Sequence, residues 1–168
     1  DPDEAAARAE AMALGAAGGA RPQPPLPGLT RGIARLGDPA GGQLLPQGRV
    51  DLGEGPKLLD DAIGTGWRLV ATDPTVVAGL DRDLLAWFTT LGGTVAVIDA
   101  AADPDGTYAD WAAAHGAAVG LQRPDFHLFG TAADAAGADD LLADLRAALA
   151  APHQHLAPTS SLEPEKTP

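Results

Sequence analysis

Apolar residues gather in the middle of the chain in short runs, and the spacing within each run predicts an element. Trp67-Arg68-Leu69-Val70-Ala71, Thr94-Val95-Ala96-Val97-Ile98 and Ala117 to Gln122 are compact runs without strict polar alternation, the pattern of strands covered on both faces. Asp81 to Leu91 and Gly106 to His115 read as helices between them. Ala138 to Ala150 places leucines at 141, 142, 145 and 149 on one helical face. Phe126 to Phe129 reads as a further strand, separated from its predecessor only by Arg123-Pro124-Asp125. The succession strand, helix, strand, helix, strand, strand, helix predicts parallel pairing first and an antiparallel hairpin last. The expected architecture is a three-layer α/β sandwich with a mixed central sheet.

The pattern changes on either side of this centre. Glu4 to Leu14 are nearly all helix formers behind Asp1-Pro2-Asp3, which predicts a short helix ending at Gly15 and Gly18-Gly19. Arg21-Pro22-Gln23-Pro24-Pro25-Leu26-Pro27-Gly28 excludes a helix or a sheet interior and reads as an extended connector. Leu44 to Val50 reads as an extended segment or edge strand, and Gly55 to Gly64 as one short helix stopped by glycine. After Ala151 the composition of Pro, His, Gln, Thr, Ser and Glu predicts a disordered tail. The expected organisation is therefore a helix and Pro/Gly-rich connector over residues 1–43, a folded domain over 44–151, and a tail over 152–168. The first residue is Asp1, and the first turn reads as the inside of a helix, consistent with either a fragment or a processed chain.

Composition narrows the chemistry. Aromatics make up 4% of the chain, so Trp67, Trp87, Phe88, Trp111, Phe126 and Phe129 are expected to anchor the packing. With 23 acidic and 11 basic side chains the formal net charge is -12, a surface that repels nucleic-acid phosphates and anionic membranes. There are no cysteines, which excludes disulfides, thiolate metal sites and dithiol redox chemistry. No apolar run reaches the roughly 18 residues of a membrane span, and the alanine-rich start lacks the basic flank and leucine-rich core of a leader. A soluble, cytoplasmic protein is the expectation.

Candidate chemical motifs each have a plainer structural reading. Gly64-Thr65-Gly66 lacks a third glycine at Leu69, and a strand follows where a dinucleotide motif needs a helix N-terminus. Asp103-Pro104-Asp105-Gly106 starts like a calcium loop, but its twelfth position is Ala114, so a turn into a helix is expected. His153 and His155 lie in the predicted tail without a third metal ligand. Ser160 and Ser161 share that tail, and the lysines are Lys57 and Lys166, so neither a core serine nor a buried amine nucleophile is supported. Asp60, Asp61, Asp139 and Asp140 fall near predicted helix ends or on solvated faces. Asp73 is expected as a turn or cap residue. Arg123, Pro124 and Asp125 form the most suggestive cluster, because a proline fixes the turn while the flanking charges can pair with each other or bind a neighbour.

The predicted order of elements is that of the thioredoxin fold. Three segments resemble one branch of it: Leu44-Leu45-Pro46-Gln47, Leu59-Asp60-Asp61-Ala62-Ile63-Gly64-Thr65-Gly66-Trp67, and Val119-Gly120-Leu121-Gln122-Arg123-Pro124-Asp125. They are similar, in the same order, to the C-terminal region of FAD-dependent monooxygenases of the phenol hydroxylase and 3-(3-hydroxyphenyl)propionate hydroxylase group. Asp1 to Arg8 also resembles the segment that follows the flavin domain in that family. Arg8-Ala9 stands where the family often has Arg-Asp, and His127 where tyrosine or a small residue is common.

The resemblance implies a parent enzyme that hydroxylates a phenolic or other aromatic substrate with FAD, NAD(P)H and dioxygen. This chain would be its structural or interface domain, without catalytic, cofactor-binding or metal-binding residues of its own. Its partners would be its own N-terminal flavin domain and a possible second copy. It also implies that Asp73-Pro74 occupies the place of the reactive thiols of thioredoxins, and that Pro124 lies in the region of their cis-proline, its own isomer being open. The alternative from another class is a stand-alone, redox-inactive thioredoxin-like module that docks a protein partner through Arg123-Pro124-Asp125.

Overall fold

A computed structural model describes residues 33–35 and 37–151. The predicted helix over Glu4 to Leu14, the connector over Arg21 to Gly28 and the tail over 152–168 lie outside the described residues, as do His153, His155, Ser160, Ser161 and Lys166. The elements in chain order are β1 (Arg49–Val50), β2 (Lys57–Leu58), α1 (Leu59–Ile63), β3 (Arg68–Ala71), α2 (Pro74–Ala78), α3 (Arg82–Thr90), β4 (Thr94–Val97), α4 (Thr107–His115), β5 (Val119–Gln122), β6 (Leu128–Ala132) and α5 (Ala135–Ala150).

The central sheet has the order β4-β3-β5-β6. β3 runs parallel to β4, with Arg68 opposite Thr94, and antiparallel to β5, with Arg68 opposite Gln122. β5 and β6 form the closing antiparallel hairpin. Every residue of β3 and β5 is buried, as expected for strands covered on both faces.

Strand alternation divides the core in two. Leu69 and Ala71 of β3 and Val119 and Leu121 of β5 pack with Phe88 of α3, Val76 of α2 and Leu141, Leu142 and Leu145 of α5. Val70 of β3 faces the other way and joins Ala96, Leu128, Tyr108 and Trp111 of α4, Leu59 of α1, and Leu45 and Val50 of the preceding segment. Helices on both faces complete the three layers. Gly120 is needed for the second face to close, since a Cβ there would lie 2.8 Å from the Trp111 ring.

Aspartates cap three of the helices, α2, α3 and α5. Asp73 accepts from the Thr75 amide and hydroxyl at 2.8 and 2.7 Å, Asp81 from the amides of Asp83 and Leu84 at 2.9 Å, and Asp134 from that of Gly137 at 2.8 Å. These bonds also explain one element that periodicity missed. Asp73-Pro74, expected as a turn or cap, starts the five-residue helix α2, with proline at its first position.

Other boundaries move for local reasons. The expected helix over Gly55 to Gly64 begins with strand β2, because Lys57 and Leu58 pair antiparallel with Val50 and Arg49 in a separate two-stranded sheet. Within Leu44 to Val50 only Arg49–Val50 is strand, while Leu44 makes an isolated bridge to His127. The last strand starts at Leu128 instead of Phe126, because Phe126 adopts φ 68° in a turn closed by its amide on the Arg123 carbonyl at 3.0 Å. Upstream, Arg35 and residues 37–43 run along β6: the amides of Arg35 and Gly42 donate to Phe129 and Leu128 carbonyls, and Asp38 accepts from the Thr131 amide at 2.6 Å.

Candidate functional site

The most unusual chemistry lies on the second sheet face, where β3 begins. Arg68 precedes Leu69 and Val70 in a strand buried along its whole length, and alternation turns its side chain toward α1 and α4. That side chain is 1% exposed. Its Nη1 donates to the Asp60 carboxylate on the first turn of α1, whose other oxygen accepts from Gln47 Nε2. The Phe126 ring centroid lies 5.4 Å from the guanidinium carbon, within cation–π range. Gln122, opposite Arg68 on β5, donates through Nε2 to the Phe126 carbonyl at 3.0 Å.

Tyr108 reaches the same region from α4. Its hydroxyl oxygen accepts from the Gly48 amide at 3.1 Å, and a Cβ on Gly48 would stand 2.9 Å from the ring. Burial pushes the Tyr108 phenol up from its ordinary value, so it stays neutral. The Asp103 carboxylate starts α4 by accepting from the amides of Thr107, Tyr108 and Ala109 at 3.0, 2.8 and 2.9 Å. Asp105 pairs with Arg49 at 2.7 Å, so the resemblance to a calcium loop resolves into a cap and an ion pair. Among the described residues no group of three or more metal-ligating side chains is placed to hold an ion.

An open groove of about 650 Å³ lies beside this cluster. Leu44, Leu45, Pro46, Trp111 and Phe126 form its apolar walls, and Gln47 and Thr107 supply its polar side chains. Among the described residues that line it, none is ionisable.

Arg123, Pro124 and Asp125 are brought together in the tight turn before β6. Arg123 Nη2 binds Asp125 at 2.7 Å, and its Nη1 donates to the Ile33 carbonyl at 2.7 Å. One guanidinium thus closes its own turn and ties down the segment that leads into the domain. Burial works against the Asp125 carboxylate, but the Arg123 charge and the His127 amide outweigh it and hold the group below its ordinary value. The peptide bond before Pro124 is trans, as are the other described peptide bonds.

The Gly64-Thr65-Gly66 loop does not fit a dinucleotide pyrophosphate. The Gly64 amide caps α1 by donating to the Asp60 carbonyl, and the strand β3 follows where the dinucleotide motif has a helix N-terminus. Arg68, Gln122 and Tyr108 were missed by motif reading. The one signal for Arg68 was a charge inside an otherwise apolar strand run, with Asp60 eight positions earlier. Asp60, expected at a helix end or on a solvated face, is indeed in the first turn of α1, but its carboxylate is the partner of a buried cation.

The model of the HcaD C-terminal domain family matches residues 42–148, which covers β1 through most of α5. The chain belongs to that family. Among curated relatives, a probable NADH-specific resorcinol 4-hydroxylase of Rhodococcus jostii (strain RHA1) is 37% identical over 128 residues, which are 71% of this chain and 24% of that protein. This HcaD C-terminal domain chain thus spans about a quarter of that relative's length. Among solved structures, the flavin-dependent monooxygenase PieE in complex with FAD and substrate aligns at 22% identity and a TM-score of 0.46, over 77% of this chain and 24% of its own. Aklavinone-11 hydroxylase in a ternary complex with FAD and aklavinone aligns at 24% identity and a TM-score of 0.41, over 62% and 21% of the two chains.

Proposed function

We propose that this chain is the C-terminal structural domain of a cytoplasmic flavoprotein monooxygenase that hydroxylates a phenolic substrate using FAD, a reduced pyridine nucleotide and dioxygen. The observation that carries this reading is the family match over residues 42–148, together with the 37% identity to a resorcinol hydroxylase. The name of that relative favours resorcinol or a related phenol as substrate and NADH as reductant. Within this reading the domain is thioredoxin-like, and it braces the flavin-bearing part of the protein or a second copy instead of acting on substrate. The way its polar groups are used supports that role: aspartates start helices, Arg123 closes its turn, and Tyr108 and Asp103 fix α4.

The test is the natural gene product, purified and assayed for bound flavin and for NADH oxidation stimulated by resorcinol. A longer, flavin-containing protein with phenol-stimulated NADH oxidation is expected, while the isolated chain should bind no flavin. A flavin-free natural product without that activity would reject the reading and leave a stand-alone binding module.

A further inference from the structure

The Pro-rich connector and the apolar groove are two features that the proposed function leaves without a use. Pro22, Pro24, Pro25 and Pro27 form two overlapping Pro-x-x-Pro spacings, Pro22 with Pro25 and Pro24 with Pro27. A polyproline II helix has about three residues per turn, so prolines three apart share one face. Such faces dock into grooves walled by aromatic side chains, at low entropic cost because the ligand helix is preformed. The groove beside Arg68 has that kind of lining: Trp111 and Phe126 stand with Leu44, Leu45 and Pro46, and Leu44 is 43% exposed. Trp111 and Thr107 bring an indole N–H and a hydroxyl to a ligand that offers backbone carbonyl oxygens.

We propose that Pro24-Pro25-Leu26-Pro27 of the connector docks in this groove of its own chain. The start of the described chain lies at the groove's own turn: Arg123 holds the Ile33 carbonyl, and the Arg123 carbonyl accepts from the amide of Phe126, which forms one wall. Five residues, Gly28 to Gly32, join Pro27 to Ile33 and span up to about 17 Å when extended. So short a tether gives the segment a high effective concentration at the groove, and a weak contact then suffices. Charge acts in the same direction. Residues 11–34 contain Arg21 and Arg31 and no acidic side chain, in a chain whose formal net charge is -12. Asp60, bonded to Gln47, and Asp125, one residue before Phe126, carry carboxylates to the edge of the groove. The connector of a second copy would meet the same lining without the tether, and two chains of this net charge repel each other. The docked segment would cover Leu44 and Phe126 and fix the path by which the chain enters the domain.

The chain has no cysteine, so a nitroxide attached at Ala20→Cys of the full 168-residue chain reports the position of the connector through NMR line broadening. Selective loss of the Gln47, Thr107 and Trp111 amide signals is expected, while those of α3, on the other face of the sheet, are retained. Pro24→Ser/Pro27→Ser in the labelled chain should restore the groove signals, and Leu44→Ser, at an exposed position, should do the same from the side of the groove. Absent or uniform broadening, or selective broadening that Pro24→Ser/Pro27→Ser leaves unchanged, would overturn the proposal. In a mixture of nitroxide-bearing chains with isotope-enriched chains that lack the nitroxide, the groove signals should persist. Their loss there would assign the groove to the connector of a second copy and reject docking within one chain.

Discussion

The two faces of the central sheet solve the same problem by different means. Beneath α2, α3 and α5 the buried cluster is apolar: Leu69, Phe88, Leu121, Leu141, Leu142 and Leu145 pack together, and the buried polar and charged side chains among the described residues are Arg68, Asp103 and Gln122. The face toward α1 and α4 also buries Val70, Ile98 and Trp111, but interleaves them with Arg68, Tyr108, Asp103 and Gln122. Apolar packing depends on volume and tolerates modest rearrangement. Buried polar groups demand particular partners, and an incomplete set is costly. The first face therefore holds the sheet to its helices, and the second fixes the orientation of the segments from Leu44 to Gly66 and of the turn at Arg123.

Large-to-small substitution on the first face should produce the greatest loss. Phe88 is fully buried, and a Cβ at Gly93 would come within 2.5 Å of its ring, so the chain is already packed tightly around it. Phe88→Ala should cost about 3–5 kcal/mol, read as a lowered urea midpoint. A loss below about 1 kcal/mol would mean that this face is looser than its packing implies.

On the second face, removing one partner of the buried ion pair is the corresponding break. Asp60→Ala leaves the Arg68 charge enclosed without its carboxylate and should cost about 3 kcal/mol, the low end for buried pairs because Asp60 is itself 23% exposed. The double variant Asp60→Ala/Arg68→Met should regain much of that loss, since it removes the stranded charge. If the double variant is no more stable than Asp60→Ala alone, the cost comes from packing, and the contrast between the faces fails.

The same contrast governs what the sequence disclosed. The leucine spacing of α5 and the apolar runs of β3 and β5 declared the first face, because burial on a hydrocarbon surface leaves a periodic mark. The parallel-then-hairpin order followed from the three-residue gap at Arg123-Pro124-Asp125. Arg68 left only a single charge in an apolar run. Its neighbours come from two separate segments, Asp60 from α1 and Gln122 and Phe126 from the β5–β6 hairpin, and no local spacing announces a contact made by the tertiary fold. The turn displaced the start of β6 for a similar reason: φ 68° at Phe126 goes against the ordinary preference of a bulky residue, and it is held by the bond its amide donates to the Arg123 carbonyl and the bond its carbonyl accepts from Gln122.

A smaller effect should come from Asp103→Ala, which removes the carboxylate that accepts three amides at the start of α4. About 1–2 kcal/mol is expected. Faster hydrogen exchange at the Thr107, Tyr108 and Ala109 amides would locate the loss, and exchange that stays as slow as before would show that Tyr108 packing alone holds the helix.

The smallest effect carries the clearest pH signature. The Asp125 carboxylate is held below its ordinary 3.8, with its cost of burial outweighed by Arg123 and the His127 amide. A carboxylate with a depressed folded value adds stability that is complete above the unfolded value and disappears as the pH falls through the folded one. Asp125→Asn cannot ionise, so it lacks this contribution at every pH. Asp125 is 47% exposed, and solvent screening limits the difference to less than about 1 kcal/mol near neutrality. The gap between wild type and Asp125→Asn should stay level above about pH 5 and narrow as the pH drops below about 4. A gap that widens on acidification would mean that burial dominates over Arg123, and the turn would then be held by its backbone bonds alone.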